Sequence, residues 1–208
     1  MFFEPNKNHP FTPNFLSALI FPRPIGWISS ISKNGVPNLS PYSFFNAISY
    51  IPPQIMFAAT ANHSDGGLKD TIRNILDTRE FVVNLAIKKL KNEVNETSID
   101  APHDIDEFNF FKIKKRKSKI VKPPSVADSP INLECKLIRK INLKTKSKNK
   151  NQNKMIIGEV IGVRIENRYI KNGRINSLMM KAISRMGYSE YSEVDSKFLM
   201  TRPKWIKL

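Results

Sequence analysis

The chain has 208 residues, of which 40% are hydrophobic and 25% charged, and it carries a formal net charge of +16. This is the composition of a globular protein long enough for one sizeable core, and no apolar run approaches the roughly 18 residues that a membrane span requires. The single cysteine, Cys135, excludes an intramolecular disulfide, and the first residues lack the basic start and apolar run of a signal peptide. We therefore expect a cytoplasmic protein that forms one domain over residues 1–208.

The first part of the chain predicts strands joined by a tight turn. Residues 1–20 are expected to form an N-terminal arm or a short helix, and a strand follows at 25–31. Asn34-Gly35 accepts positive φ and so predicts a hairpin turn into a second strand at 36–45. Two prolines in that strand imply an edge or a bulge, and a buried strand follows at 54–61. The arm has four apolar residues that could pack inward: Phe11, Phe15, Leu16 and Leu19.

The middle of the chain alternates between helical and strand patterns. Apolar residues recur at helical spacing over 68–76, and Ser64 or Asp65 is placed to cap this helix. A strand at 81–87 and a short helix at 88–97 follow. From 98 to 130 the prolines forbid long regular elements, so we expect a loop there.

The last part predicts a long hairpin. Strands at 131–143 and 155–165 flank a basic hairpin loop at 144–154 that is rich in Lys and Asn. Cys135 lies on the apolar side of an alternating pattern, which indicates a core residue rather than a nucleophile. Many strands, few helices and hairpin connections predict a mainly β fold, an antiparallel barrel or sandwich with a few peripheral helices.

The positive charge suggests nucleic acid as a partner, but its placement weakens that hypothesis. Much of the excess lies in 112–122 and 144–154, and neither segment contains an aromatic side chain on which a base could stack. We interpret both segments as solvated basic loops and keep a basic nucleic-acid-binding barrel as a less favoured alternative.

No pattern indicates a hydrolase or a metal site. The histidines His9, His63 and His103 stand far apart, with no paired nucleophile and no His-x-x-x-His spacing. We interpret each as a surface residue, although His63 is the one best placed to line a pocket because it follows a buried strand and precedes a helix.

Two segments suggest a nucleotide-like ligand. Free amides at a helix N-terminus attract phosphate, and Ser64, Lys69 and Thr71 could add hydrogen bonds and charge at the start of the predicted helix. A capped surface helix explains these residues equally well. In 38–45, hydroxyl groups alternate with apolar side chains and prolines, so this segment could follow the edge of a heterocyclic ring or form a plain β-bulge.

Several blocks occur together in one order along the chain. They are Pro22 to Ser30 (PRPIGWISS), Asn38 to Ser49 with Pro52-Pro53, Lys69-Asp70-Thr71-x-x-Asn74-Ile75, Thr78-x-Glu80 to Leu85, Val126 to Cys135, Gly158-Glu159-Val160, Arg185-Met186-Gly187 with Tyr191, and Arg202-Pro203. This set resembles the flavin reductase-like, FMN-binding split-barrel family. Two features depart from the family pattern: Arg79, where the family often has glycine, and the long polar loop at 144–154.

The resemblance implies a homodimer of antiparallel, Greek-key-like split β-barrels that holds FMN near the subunit interface. By analogy, 40–44 would contact the isoalloxazine and the ribityl chain, and Lys69 with Thr71 would approach the phosphate. The cofactor-binding residues implied in this way are Ser29, Ser30, Ser40, Pro41, Tyr42, Ser43, Phe44, Ala59, Thr60, Ser64, Lys69, Thr71 and Arg185.

The resemblance also implies an NAD(P)H-dependent flavin reductase. NADH or NADPH would pass a hydride to flavin N5, a transfer that requires no catalytic side chain. Backbone amides near Ser43 and Phe44 would stabilise the negative charge of the reduced flavin. The alternative is a non-enzymatic flavin or electron carrier of the same fold, because fold and cofactor do not determine the reaction.

Overall fold

The computed structural model describes residues 1–12, 14–145 and 153–205. The strands in these ranges are β1 (Arg23–Pro24), β2 (Gly26–Ile31), β3 (Pro37–Tyr42), β4 (Phe45–Tyr50), β5 (Pro53–Ala59), β6 (Glu80–Leu85), β7 (Lys115–Arg116), β8 (Ser125–Val126), β9 (Ile131–Asn142), β10 (Lys154–Ile165), β11 (Ile170–Lys171), β12 (Arg174–Ile175), β13 (Ile183–Arg185) and β14 (Tyr191–Glu193). The α-helices are α1 (Phe15–Leu19), α2 (Asp70–Thr78), α3 (Lys91–Glu96) and α4 (Glu107–Phe110), and short 3₁₀ helices cover Lys88–Leu90, Asn167–Tyr169 and Ser177–Met180.

Seven strands form one antiparallel sheet in the order β3-β2-β6-β9-β10-β5-β4. The two edge strands, β3 and β4, are consecutive in sequence, so the sheet curls round and its two edges meet again where the chain passes from one to the other. There the amide of Ala58 donates to the carbonyl of Phe44 at 2.8 Å, but β3 and β4 are not paired with each other. The fold is mainly β, and the predicted split β-barrel with a few helices is confirmed.

The interior of the barrel is apolar. Phe57, Phe81 and Ile156 are fully buried there, together with the predicted core residue Cys135. Helix α2 closes one end of this core with its buried isoleucines. Gly158 is required on β10, since a Cβ at that position would lie 2.4 Å from Phe81 Cζ.

A second apolar cluster lies on the outer face of the sheet. Trp27 belongs to this outer cluster and its neighbour Ile28 to the inner one, because successive side chains of a strand point to opposite faces. The outer cluster is covered by α3, through Val94, and by the segment that carries α4, through Phe108. The sheet wall is therefore buried on both sides at β2.

Some predicted boundaries were wrong. The predicted strand at 36–45 ends at Tyr42, and the separate strand β4 begins at Phe45 and pairs with β5. Helix α2 begins at Asp70 rather than near Ser64, because Gly66 has φ +86 and keeps the preceding residues in a loop. Arg79 ends α2 in the left-handed region with φ +66. Glycine adopts this conformation most easily, which accounts for the glycine that the family often has at this position.

The N-terminal arm contains the short helix α1, which has no buried residue. Phe11, Leu16 and Leu19 are exposed, so the expected inward packing was wrong for these three side chains. The arm is instead held by Arg23, whose guanidinium donates to the carbonyls of Ser17 and Ile20.

At the long hairpin, β9 and β10 pair as predicted, and the amide of Leu143 donates to the carbonyl of Asn153 at 3.0 Å. Residues 146–152 of the predicted basic loop lie outside the described part of the chain. Within the described ranges, no helix is both long and apolar enough to cross a membrane.

Candidate functional site

A cavity of about 240 Å³ lies beside the split between β3 and β4. We call it the split cavity. Its lining residues are Ser40, Pro41, Tyr42, Ser43, Phe44, Ala58, Ala59, Thr60, Ala61, Lys69, Ser98 and Ile99. Residues from three separate predicted segments, 40–44, 59–60 and Lys69, therefore surround one space.

A second cavity, of about 300 Å³, adjoins the first and shares Pro41, Ser43 and Ser98 with it. Arg185 lines this second cavity, not the split cavity. Its guanidinium lies 4.4 Å from the ring centre of Tyr191 and donates to the carbonyl of Tyr188. A cation and a flat aromatic surface therefore stand next to the split cavity.

The edge strand β3 is held in place by a buried carboxylate. Glu107 Oε2 accepts the amide of Leu39 at 2.9 Å, and Glu107 Oε1 accepts Asn38 Nδ2 at 3.0 Å. Burial raises the pKa of Glu107, and the hydrogen bonds from Leu39 and Asn38 oppose that rise. The amide that an edge strand would leave unpaired is thereby satisfied, just before the strand reaches Ser40.

The same network fixes the start of α2 against β2 and β3. Thr71 Oγ1 donates to Asn38 Oδ1 at 2.7 Å, Ser30 Oγ donates to the same oxygen at 3.3 Å, and Asn74 Nδ2 donates to Ser30 Oγ at 3.2 Å. Ser30 and Thr71 are buried in this network and do not line the split cavity. Their hydroxyls join β2, β3 and α2, and so help to position the residues that line the split cavity.

The side chain of Ser29 is also hydrogen-bonded to other groups of the protein. It is fully buried, its Oγ donates to the carbonyl of Pro124 at 2.5 Å, and it accepts Asn84 Nδ2 at 3.3 Å. Asn84 further donates to the Trp27 carbonyl and accepts the amide of Val126, each within 2.9 Å. This second network ties β8 and the residue before it to the outer face of β2.

The segment 97–101, which supplies Ser98 and Ile99 to the split cavity, is anchored at both ends. Trp27 Nε1 donates to Thr97 Oγ1 at 2.9 Å at one end. At the other end His63 Nε2 lies 2.8 Å from the carbonyl of Ala101. Trp27, in the PRPIGW block, therefore does not line the split cavity itself but holds one of its walls in place.

Lys69 forms an ion pair at the rim of the split cavity. Its Nζ lies 2.5 Å from Asp100 Oδ1, and the backbone amide of Ser64 donates to Asp100 Oδ2 at 2.5 Å. Partial burial opposes ionisation of Asp100, but the hydrogen bonds from Lys69 and Ser64 outweigh it and lower the pKa. The Lys69 ammonium and the Ser64 backbone amide, which were predicted to bind a phosphate, therefore both bind a carboxylate of the protein itself, that of Asp100. The Ser64 side chain is exposed.

Tyr42 connects the cavity wall to the barrel core. Its ring lies 4.9 Å from that of Phe57. Burial raises the pKa of Tyr42 to about 12, although hydrogen bonds with Thr71 and Ser40 act in the opposite direction. The phenol is therefore protonated at neutral pH.

Two histidines predicted to be surface residues instead form a charged group behind the loop that precedes α2. His63 is buried, and its ring lies 4.0 Å from that of His103. His103 lies between Asp65 and Asp70, at 2.6 Å from each. One ligand atom from each of His63, Asp70 and His103 falls within 4.8 Å of the others, but Arg73 Nη2 stands 3.0 Å from His103 Nε2 and brings a positive charge into this group. We interpret it as an ion-pair network.

Sequence reasoning missed Ala58, Ala61, Ser98, Ile99 and Asp100. The two alanines flank predicted residues on β5 and the loop after it, so the adjacent strand pattern could have indicated them. The other three lie in a segment predicted only as a loop. No local pattern pairs Asp100 with Lys69, because 31 residues separate them in sequence.

The fold and the cavity define a split-barrel protein whose cavity is built by the same segments that resemble the flavin-binding family. The family model for the flavin reductase like domain matches residues 17–180. An uncharacterized protein of Aquifex aeolicus is 34% identical over 175 residues, covering 84% of this chain and 85% of that protein. The chain belongs to the flavin reductase-like family, whose members are associated with flavin.

Two solved structures are similar over nearly their whole length. Nitrilotriacetate monooxygenase component B from Bacillus cereus superposes with a TM-score of 0.88 at 29% identity, covering 96% of this chain and 98% of that one. The 2-nitrobenzoate 2-nitroreductase of Pseudomonas fluorescens superposes with a TM-score of 0.80 at 26% identity, covering 94% of this chain and 92% of that one.

Proposed function

We propose that the protein binds FMN in the split cavity and catalyses NAD(P)H-dependent flavin reduction. The observation that carries the proposal is the convergence of 40–44, 59–60 and Lys69 on one cavity, whose lining combines hydroxyl-bearing residues with a cation. The similarity to a monooxygenase component B and to a nitroreductase supports an oxidoreductase.

The lining of the split cavity fits a flat, polar-edged ring. Ala58, Ala59 and Ala61 have small side chains that leave room for a planar group, and Phe44 with Ile99 adds apolar surface. The hydroxyls of Ser40, Ser43 and Thr60 line the same space and would orient the ring by hydrogen bonds. Tyr42, protonated at neutral pH, would stay a hydrogen-bond donor within the wall.

The other end of the split cavity fits a phosphate. Lys69 and the amide of Ser64 already bind an anion there, Asp100. Both donors precede α2, whose N-terminal dipole favours negative charge. A phosphate would use the same two donors, with Asp100 displaced towards solvent.

The second cavity suits the hydride donor. A bound flavin would supply the redox chemistry, by accepting a hydride from the nicotinamide. Arg185 would bind an anionic group of NADH or NADPH, and Tyr191 would offer its ring as a stacking surface. Because Pro41, Ser43 and Ser98 line both cavities, the two ligands would meet where the cavities adjoin, as the direct contact needed for hydride transfer requires.

We also propose that the protein forms a homodimer. Strand β4 is an edge of the sheet, and its hairpin with β5 exposes Ile48, Tyr50 and Ile51 at 48%, 91% and 94%, which is an unfavourable surface for a monomer. Analytical ultracentrifugation should give twice the 23.9 kDa mass of one chain. A monomer at micromolar concentration would exclude the dimer.

The activity is tested with the purified protein reconstituted with FMN. We expect a flavin visible spectrum after removal of free FMN, and oxidation of NADH or NADPH when an electron acceptor is present. Flavin binding with no oxidation of either nucleotide, but with reduction by a protein donor, would favour the electron carrier instead. Absence of flavin binding would exclude both functions.

The phosphate end is tested by comparing FMN with riboflavin, which lacks the phosphate. Lys69→Met should weaken FMN binding by about tenfold or more, because a charge-assisted hydrogen bond contributes about 1.5–3 kcal/mol, and should leave riboflavin binding unchanged. Lys33→Met is the control, since Lys33 pairs with Asp77 in the last turn of α2, at the end of the helix away from Lys69. Fluorescence titration measures the affinities of wild type and of both variants for each flavin, six in all. Equal weakening of FMN and riboflavin by Lys69→Met would place the phosphate elsewhere.

A further inference from the structure

A further cavity, lined by charged side chains, lies away from the split cavity at the opposite end of β10. It has a volume of about 450 Å³ and is lined by the segment 116–125, by two residues of β9 and by the last residues of β10. Lys154, at the start of β10, pairs with Ala59 of the split cavity, whereas Arg164, near the end of β10, lines this further cavity. Ten residues of strand separate these two positions, which is about 30 Å.

This cavity is lined by four cations, Arg116, Lys117, Lys119 and Arg164, and we call it the basic cleft. In the described part of the chain, none of the four lies in an ion pair with a carboxylate. The neighbouring Lys115, by contrast, is paired with Asp106 at 2.7 Å. The basic sequence 112–122 is therefore not a uniformly solvated loop, because part of it forms one wall of a concave surface.

The two arginines converge on a single oxygen. Arg116 Nη1 and Arg164 Nη1 each lie 3.5 Å from Asn132 Oδ1, so these two nitrogens are at most twice that distance, about 7 Å, apart. Asn132 is buried, and its Nδ2 donates to Asn84 Oδ1 and the Val126 carbonyl, which fixes the direction of Oδ1. Two like charges are thus held close together around one neutral acceptor, which an intervening anion would stabilise.

The electrostatics of Arg116 agree with this geometry. Burial lowers the pKa of Arg116, and the charge of Arg164 lowers it further, while Glu166 and Asp128 act more weakly in the opposite direction. Glu166 is itself paired with Arg168 at 2.8 Å.

Among the described residues, one acidic side chain lines the basic cleft, and its carboxylate is hydrogen-bonded to the backbone. Glu134 accepts the amides of Lys119, Ile120 and Val121 at 2.6 to 3.1 Å. These bonds hold the lysine-bearing segment over β10. The lining therefore keeps a net positive charge in a fixed shape.

We propose that the basic cleft is a binding site for a small polyvalent anion, a compound with two or more phosphate or carboxylate groups. Two guanidiniums and two ammonium groups match the geometry and charge of such a ligand, and the enclosed volume suits a small molecule rather than an extended chain. No aromatic side chain lines the cleft within the described residues, so it lacks the stacking surface typical of single-stranded nucleic-acid sites. This site is independent of the proposed flavin chemistry.

The probe is inorganic pyrophosphate, titrated into the full-length protein by calorimetry at constant ionic strength. Wild type should bind it saturably, and the part of the binding that depends on Arg164 should fit one site. Arg164→Gln should weaken this binding by about tenfold or more, Lys119→Gln by less, and Arg164→Lys should restore part of the affinity. Arg174→Gln is the control, because Arg174 is an exposed arginine outside the cleft. Thermal unfolding of each variant without ligand shows whether the fold is retained.

Four outcomes would overturn the proposal. Non-saturable binding, or equal weakening by Arg164→Gln and Arg174→Gln, would mean that pyrophosphate responds only to the overall charge. Loss of binding in Lys69→Met but not in Arg164→Gln would place the anion in the split cavity. Tighter, Arg164-dependent binding of a short single-stranded oligonucleotide would identify the cleft as part of a nucleic-acid surface instead.

Discussion

The hydroxyl groups of β2 and β3 have opposite uses, although the two strands are paired neighbours. On β2, Ser29 and Ser30 are fully buried and bond to other protein groups. On β3 and just after it, Ser40 and Ser43 are half-buried and line the split cavity. The first pair holds the site together, and the second pair faces the space where a ligand would bind.

The position of each strand in the sheet explains the difference. β2 lies between β3 and β6 and is covered on both faces, so a polar side chain there must find a partner inside the protein. β3 is an edge strand, and its free side opens onto the split. A serine in a central strand is thus a structural residue, whereas the same residue at an open edge is available to a ligand.

The largest effect should be a loss of stability on breaking the buried hydrogen-bond network around Asn84. Asn84→Ala should lower the free energy of unfolding by about 3 kcal/mol or more, because it leaves the Val126 amide and the Trp27 carbonyl buried without a partner. Urea unfolding measures the loss. Asn92→Ala, at an exposed position of α3, should change stability by less than about 0.5 kcal/mol. A small loss at Asn84 would mean that water replaces its hydrogen bonds.

A pair of serine variants tests the comparison directly. Ser29→Ala should cost about 1–2 kcal/mol of stability, since the Pro124 carbonyl and Asn84 each lose a partner, and should leave flavin affinity unchanged. Ser43→Ala should leave stability unchanged and weaken FMN and riboflavin equally, by about fivefold. Unfolding and fluorescence titration are measured on both variants. A reversed pattern would remove the distinction between the two strands.

A smaller effect, and a gain in affinity rather than a loss, is expected from a substitution at the rim of the split cavity. Asp100→Asn should tighten FMN binding by about fivefold, because it removes a negative charge that shares donors with the phosphate, a repulsion of about 1 kcal/mol. Riboflavin binding should stay the same. Asp104→Asn, at an exposed position in the same segment, is the control. Weaker FMN binding in Asp100→Asn would show that Asp100 positions Lys69 instead of competing with the ligand.

The strands and the inner core follow closely from the sequence pattern. The alternation around Cys135 predicted its burial, and the bounds of β9 and β10 differ from the predicted ones by one residue. These features depend on local periodicity and on burial against many neighbours, which a single sequence records. The grouping of 40–44 with Lys69 was implied by the resemblance alone, since local propensity does not say which segments meet.

The details of the site were less predictable, for physical reasons. Ser29 and Ser40 occur in similar patterns of small polar and apolar residues, and only the strand order separates a buried hydroxyl from one at the cavity. The pairing of Lys69 with Asp100 and of Glu107 with the Leu39 amide joins distant parts of the chain. Such contacts are set by tertiary packing. Likewise, the convergence of Arg116 and Arg164 needs the register of β9 and β10.

The smallest effect concerns the charged group behind the cavity. The hydrogen bond with Asp65 is the largest cause that raises the pKa of His103 above 6.5; desolvation and Arg73 oppose the rise, and Asp70 adds to it. The folded protein thus binds this proton more tightly than the unfolded chain. The stabilisation should be complete below about pH 6.5 and should be lost as the pH rises through the raised pKa. Urea unfolding from about pH 5.5 to 8.5 should show this loss in wild type and a flatter profile in His103→Asn. Identical profiles for the two proteins would mean that His103 contributes no pH-dependent stability, and that the loop before α2 is held by the remaining contacts of His63 and Asp100.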